Sequence, residues 1–293
     1  MQLYHRLRIR PQWREGDLLK PLGVAHLTAL DLAPEALVRE AGRAGFSTVG
    51  LRLHPVMPGA QAYPLAVGGQ ALRELKAVMA GEGVGVADIE FVSLTPQVQV
   101  GDCAVLLAAG AELGATSLTV SGDDEDGVRL AHNFAALCEM AREYGLRVDL
   151  EFMRWRPVAT LQQALAVLNM AGQGNSAVLV DALHLFRSGG DVAALAEVDP
   201  RYLRAVQLCD APLTAPAEAL IIQEAREGRL LPGQGQLPLA ALMGALPTDV
   251  QVSVETPSVT LRGENRLKQV REATHGWLGN VRLPSTRSPQ IKD

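Results

Sequence analysis

Aromatic side chains make up only 4% of the 293 residues. That is too few for a ring-rich β-sandwich core, and it suits parallel strands packed under Ala- and Leu-rich helices. Cysteine is scarce as well. Cys103, Cys138 and Cys209 are too scattered for a disulfide framework or a zinc knuckle, which fits a reducing, cytoplasmic setting. Basic charge is not in excess: the net charge is −5, so no nucleic-acid backbone or anionic membrane is expected as a partner, and a small molecule is. No apolar run is long enough to span a bilayer, and none follows the charges of residues 1–10 as a secretory leader would. The Gly-x-Gly-x-x-Gly turn of dinucleotide-binding sheets is missing after the first strand.

The chain is 48% hydrophobic and 20% charged, enough for one large core. Strand-like runs at residues 23–28, 48–53, 83–91, 116–120, 146–151, 176–181, 202–208 and 250–255 alternate with segments of helical spacing. Pro34 opens the first helix and Gly45 closes it; the last helix spans 264–278. Eight strand-helix units in about 250 residues predict a single (β/α)8 TIM barrel of the α/β class. It occupies residues 23–278, between an N-terminal lead-in at 1–22 and a loose C-terminal tail at 279–293.

Four successive strands end on oxygen-bearing side chains. The run Ala177-Val-Leu-Val-Asp181 stops at a carboxylate, with His184 and Arg187 just beyond, and the neighbouring strands end at Glu151, Gln207 and Glu255. In a barrel the carboxyl ends of the strands form the ligand-binding face, so these groups converge. Three clustered carboxylates repel one another unless a cation lies between them. With the Gln207 amide they form an all-oxygen shell for one divalent metal ion, Mn²⁺ or Mg²⁺ before Zn²⁺ or Co²⁺. Such a site suits removal of a proton next to a carbonyl, the ion stabilising the enediolate. Glu151 and Glu255 serve as the proton-transfer pair, and His184 joins them in the catalytic set. Arg52, His54, Glu90, Arg187 and Arg229 are candidate substrate contacts.

The motifs Asp-Leu-Glu151-Phe, Asp181-Ala-Leu-His184 with Arg187-Ser-Gly-Gly, Val-Gln207-Leu-Cys-Asp210, Gly-Arg229-Leu-Leu-Pro-Gly-Gln-Gly-Gln and Val-Ser-Val-Glu255 resemble those of the xylose isomerase-like TIM barrels. These belong to the sugar phosphate isomerase/epimerase family, which includes ketose 3-epimerases, inosose dehydratases and dehydroshikimate dehydratases. The resemblance implies that Glu151, Asp181, Gln207 and Glu255 bind the metal and that His184 approaches the substrate. The family usually has His where this chain has Gln207, a weaker donor. The expected activity is a metal-dependent isomerase or epimerase acting on a sugar-like keto compound. A lyase or dehydratase on the same site is the alternative, and a metal-free binding barrel is a third reading that rests on Gln207. A DNA-repair endonuclease of the same superfamily is disfavoured by the acidic balance. A homo-oligomer is compatible with all of these.

Other features have plainer readings. The acidic run Asp123-Asp-Glu-Asp126 is expected to cap the following helix. Trp155 is expected to pack. Asp210 is expected either to accept a hydrogen bond behind the ligand groups or to anchor a loop, and the glycines after Arg229 either grasp a phosphate or turn the chain.

Overall fold

The computed structural model describes residues 21–263 and 265–280. Eight short runs rich in Val, Leu and Ile form β1 (Leu22–Val24), β2 (Thr48–Arg52), β3 (Gly85–Leu94), β4 (Ser117–Gly122), β5 (Arg147–Glu151), β6 (Ser176–Asp181), β7 (Leu203–Leu208) and β8 (Gln251–Val254). Each pairs in parallel with the next, and β8 returns to β1, so the sheet closes and leaves no edge. The fold is the TIM barrel that the alternation predicted.

The helices are α1 (Pro34–Ala44), α2 (Gln70–Glu82), α3 (Ala104–Leu113), α4 (Gly127–Glu143), α5 (Leu161–Ala171), α6 (Ala182–Arg187), α7 (Val192–Ala196), α8 (Ile221–Glu227), α9 (Leu239–Ala245) and α10 (Arg266–Asn280). Their ends follow local chemistry. Asp126 caps α4 by accepting from the N–H groups of Val128 and Arg129, and Thr160 with Gln163 forms a capping box on α5. Gly45 stops α1 in the left-handed region at φ 85°. Leu37, Leu72, Leu107, Phe134 and Leu168 press from the helices onto Leu51, Leu118, Val148 and Val178 of the strands, all fully buried. Each such leucine is worth roughly 1.5–3 kcal/mol of burial.

Two features differ from the sequence expectation. The first strand stops at Val24, and residues 26–29 wind into a 3-10 turn. Side chains take over the pairing there: His26 Nδ1 accepts from the Arg52 N–H at 2.9 Å and Thr28 Oγ1 from the Thr256 N–H at 3.0 Å. Helices α6, α7 and α8 have 6, 5 and 7 residues, too short for a periodicity to register. Most of the expected lead-in and tail, and Glu264, lie outside the described residues. Among the described residues no helix is long and apolar enough to cross a membrane.

Candidate active site

Parallel pairing places the key side chains next to one another at the carboxyl ends of the strands. Glu151 ends β5, and Asp181 ends the adjacent β6, in register with Gln207 of β7. Glu255 follows β8, its N–H bound to Leu208 O at 3.0 Å. Asp181 also caps α6: its Oδ1 accepts from the His184 N–H at 2.9 Å. This capping sets His184 one turn into α6, its Nε2 3.7 Å from Glu151 Oε1. Glu151, His184, Gln207 and Glu255 line a cavity of about 230 Å³ with Arg52 and Glu90, beneath walls of Leu27, Leu30, Phe91, Met153 and Trp155. A register shift between Glu90 and Val92 interrupts the β3–β4 ladder beside the pocket, the kind of bulge that re-aims side chains near sites. Both Glu90 and Phe91 line the cavity.

Arg229 is buried at the centre of the cluster. It reaches Asp181 Oδ2 with Nη1 at 2.5 Å, Glu255 Oε2 with Nη2 at 2.9 Å and Ala225 O with Nε at 2.8 Å. Gln207 Nε2 donates to the other oxygen of Glu255 at 3.3 Å. Both oxygens of Glu255 are therefore engaged, whereas Glu151 makes no hydrogen bond with a described residue and has the His184 ring and Asp181 beside it. Asp210 anchors the 229–237 segment, accepting from the N–H groups of Gly233 and Leu237, each at 3.0 Å. A side chain at Gly235 would collide with Asp210 and with the Ala211 backbone.

The charges set the protonation states. Burial raises the Glu151 carboxyl well above its usual range, and the nearby Glu255 and Asp181 add to the rise. Burial also raises Glu255 to about 7, against the pull of Arg229. For Asp181 burial acts in the same direction, but Arg229, His184 and its own hydrogen bonds outweigh it, and the carboxyl is held low. Burial drops His184 to about 4, so its ring is neutral at ordinary pH.

The residues fit a divalent cation. One ligand atom each of Glu151, Asp181 and His184 lie within 4.8 Å of one another. When ionised, Glu90, Glu151, Asp181 and Glu255 outnumber the inner guanidiniums of Arg52 and Arg229 by two charges, which one divalent ion offsets. His184 Nδ1, Gln207 Oε1 and Glu90 Oε1 are buried without a partner, the condition of groups that await a ligand.

Of the expected metal ligands, Glu151 and Asp181 come together with His184, while Gln207 and Glu255 are bonded to each other beside that group. Arg52 lines the cavity but binds Glu90 Oε2 through Nη2 at 2.6 Å and Nε at 3.1 Å. Arg187 does not line the cavity. It grips Glu224 with Nε and Nη2 at 2.8 and 2.7 Å and reaches Pro212 O at 2.8 Å, which ties α6 to α8. His54 is exposed, sits against Phe91 O at 3.1 Å and lines an adjoining depression with Asp123 and Asp102 rather than the cavity itself.

Two residues at the cavity carry more than the sequence reading gave them. Trp155, expected to pack, lines the cavity and meets His184 edge-on at 5.0 Å. Arg156, unremarked, lines it as well. The signal was the cluster Arg154-Trp-Arg156 directly after a barrel strand that ends on a carboxylate. In the acidic run, Asp126 caps α4 as expected, but Asp124 is buried and holds Arg129 at 2.6 and 2.7 Å.

Comparison with known proteins agrees with this fold. A family model described as xylose isomerase-like TIM barrel matches residues 38–279. A 3-dehydroshikimate dehydratase of Pseudomonas aeruginosa is 33% identical over 115 residues, 39% of this chain. The chain spans 18% of the length of the curated relatives it matches. Among solved structures, the IOLI protein with a binding zinc atom superposes with a TM-score of 0.73 at 17% identity, over 89% of this chain and 99% of that one. The 3-keto-D-glucoside 4-epimerase YcjR of E. coli gives 0.66 at 17%, over 88% and 98%.

Proposed function

Because the chain belongs to the xylose isomerase-like TIM barrel family, whose relatives include dehydratases and epimerases, we propose that it is a divalent-metal-dependent lyase that dehydrates a sugar-like keto compound. The observation that carries this reading is the asymmetry of the two glutamates. Glu151 is buried and uncommitted, whereas both oxygens of Glu255 are held by Gln207 and Arg229. The partial identity to 3-dehydroshikimate dehydratases favours the same outcome.

Glu151, Asp181 and His184 would hold the ion, with Gln207 and Glu255 beside them. A mixed carboxylate and imidazole set accepts Zn²⁺ or Co²⁺ as readily as Mn²⁺. Bound there, the ion supplies Lewis acidity to a carbonyl and its adjacent hydroxyl. Glu151, buried in the cavity and without a hydrogen bond to a described residue, takes the proton from the carbon next to the carbonyl. Glu255, which lines the same cavity, gives a proton to the departing hydroxyl. Water leaves, a carbon–carbon double bond forms, and the proton on Glu151 passes to solvent or back to Glu255. The nitrogen of the neutral His184 ring that does not hold the ion stays available to a substrate oxygen.

An isomerase or epimerase shares the first step and differs in where the proton goes next, so the product decides. Purified protein stripped by a chelator and reloaded with Mn²⁺ or Zn²⁺ is incubated with 3-dehydroshikimate and with keto sugars in deuterated water. A product with new ultraviolet absorbance, formed only after reloading, supports the lyase. Deuterium incorporation without new absorbance identifies an epimerase, and turnover that survives stripping rejects the metal.

A further inference from the structure

The floor of the cavity is negative, and its two inner guanidiniums, Arg52 and Arg229, are committed to protein carboxylates. The rim differs. Arg226, in the last turn of α8, is exposed, lines the cavity and makes no hydrogen bond or ion pair with a described residue. Arg156, in the turn after β5, lines the same cavity from the β5 side. Its Nη1 lies 3.0 Å from Asp123 Oδ1, but the contact lacks hydrogen-bond alignment, and its Nε is buried with no acceptor. A buried guanidinium N–H without an acceptor is costly and calls for one from a ligand.

We propose that Arg156 and Arg226 form an anion-binding rim, and that the substrate is a small keto polyol with a carboxylate or phosphate group at the end remote from the reacting carbon. The inference rests on the cavity being the substrate site described above. Guanidinium forks match both oxyanions in a bidentate way. Arg226 is exposed at the mouth while Glu151 and Glu255 are buried below it, so an anion held at the rim orients the molecule: anionic end outward, carbonyl and hydroxyl towards Glu151. At about 230 Å³ the cavity lies below the range of drug-sized pockets and suits a single ring.

Calorimetric titration of the full chain tests this without turnover. The probes are shikimate against its methyl ester, and glucose 6-phosphate against glucose, for the wild type, Arg226→Ala and Arg156→Lys. At least one anion should bind about tenfold or more tightly than its neutral counterpart, and Arg226→Ala should remove most of that gap while leaving the neutral probe unchanged. Arg156→Lys keeps a cation beside Asp123 but removes Nε, and should narrow the gap too. Whichever pair shows the gap identifies carboxylate or phosphate. Neutral probes that bind as tightly as the anions, binding by neither anion, or a gap unchanged in Arg226→Ala would overturn the rim. Because binding is read directly, a failed dehydration assay leaves the rim standing, and equal turnover of neutral ketones removes the rim while leaving the lyase reading intact.

Discussion

Nη1 of Arg229 lies 2.5 Å from Oδ2 of Asp181, and both side chains are buried. The same guanidinium holds Glu255, so one cation from the chain bridges two carboxylates that otherwise repel each other at the barrel mouth. Removing it leaves two uncompensated buried charges. Arg229→Ala should lower the unfolding free energy by roughly 3–5 kcal/mol in urea titration, and a divalent cation should return part of the loss. An unchanged midpoint would show that the pair carries no such weight.

Glu151, Asp181 and His184 each bring one ligand atom within 4.8 Å of the others, whereas the Gln207 amide N–H is turned to Glu255. His184→Ala should therefore weaken zinc or manganese binding by roughly tenfold or more in a competition titration, and Gln207→Ala by less. Gln207→His supplies an imidazole in place of an amide and should tighten zinc binding.

Burial lifts the Glu255 carboxyl to about 7 against the pull of Arg229, so the metal-free folded state keeps a proton that the unfolded chain gives up near its ordinary value. Stability linked to that proton is full below about pH 4.5 and is lost as pH rises through about 7. Glu151, raised by burial and by Glu255, acts with the same sign. His184, lowered to about 4 by burial, acts with the opposite sign only below about pH 6.5. The melting temperature of chelated protein should fall between about pH 6.5 and about pH 8, and Glu255→Gln should flatten that fall.

The three thiols are buried, and burial pushes Cys103 up to about 11 and Cys138 and Cys209 to about 12. None should react with a thiol reagent at neutral pH in the native protein, and all three should react after denaturation. A fast-reacting thiol in the folded state would contradict this packing.

The barrel was legible because each strand is a short apolar run and the helices between them carry their own start and stop signals, as at Pro34 and Gly45. Glu151, Asp181 and Glu255 were legible because they interrupt or end such runs. What the sequence hides is which neighbour each side chain chooses. Arg187 turns away from the cavity because Glu224 and the Pro212 carbonyl lie within its reach, partners 25 and 37 residues distant. Arg229 reads as a substrate contact until β6 and β8 bring Asp181 and Glu255 to either side of it. Arg156 was invisible because its position depends on the turn after β5, where its N–H bonds to Met153 O at 2.8 Å.

Anomalous diffraction from crystals soaked in Mn²⁺ tests the metal centre most directly. A single peak is expected within coordination distance, roughly 2.0–2.6 Å, of carboxylate oxygens of Glu151 and Asp181. No peak in the cavity, or a peak that touches neither carboxylate, would contradict it.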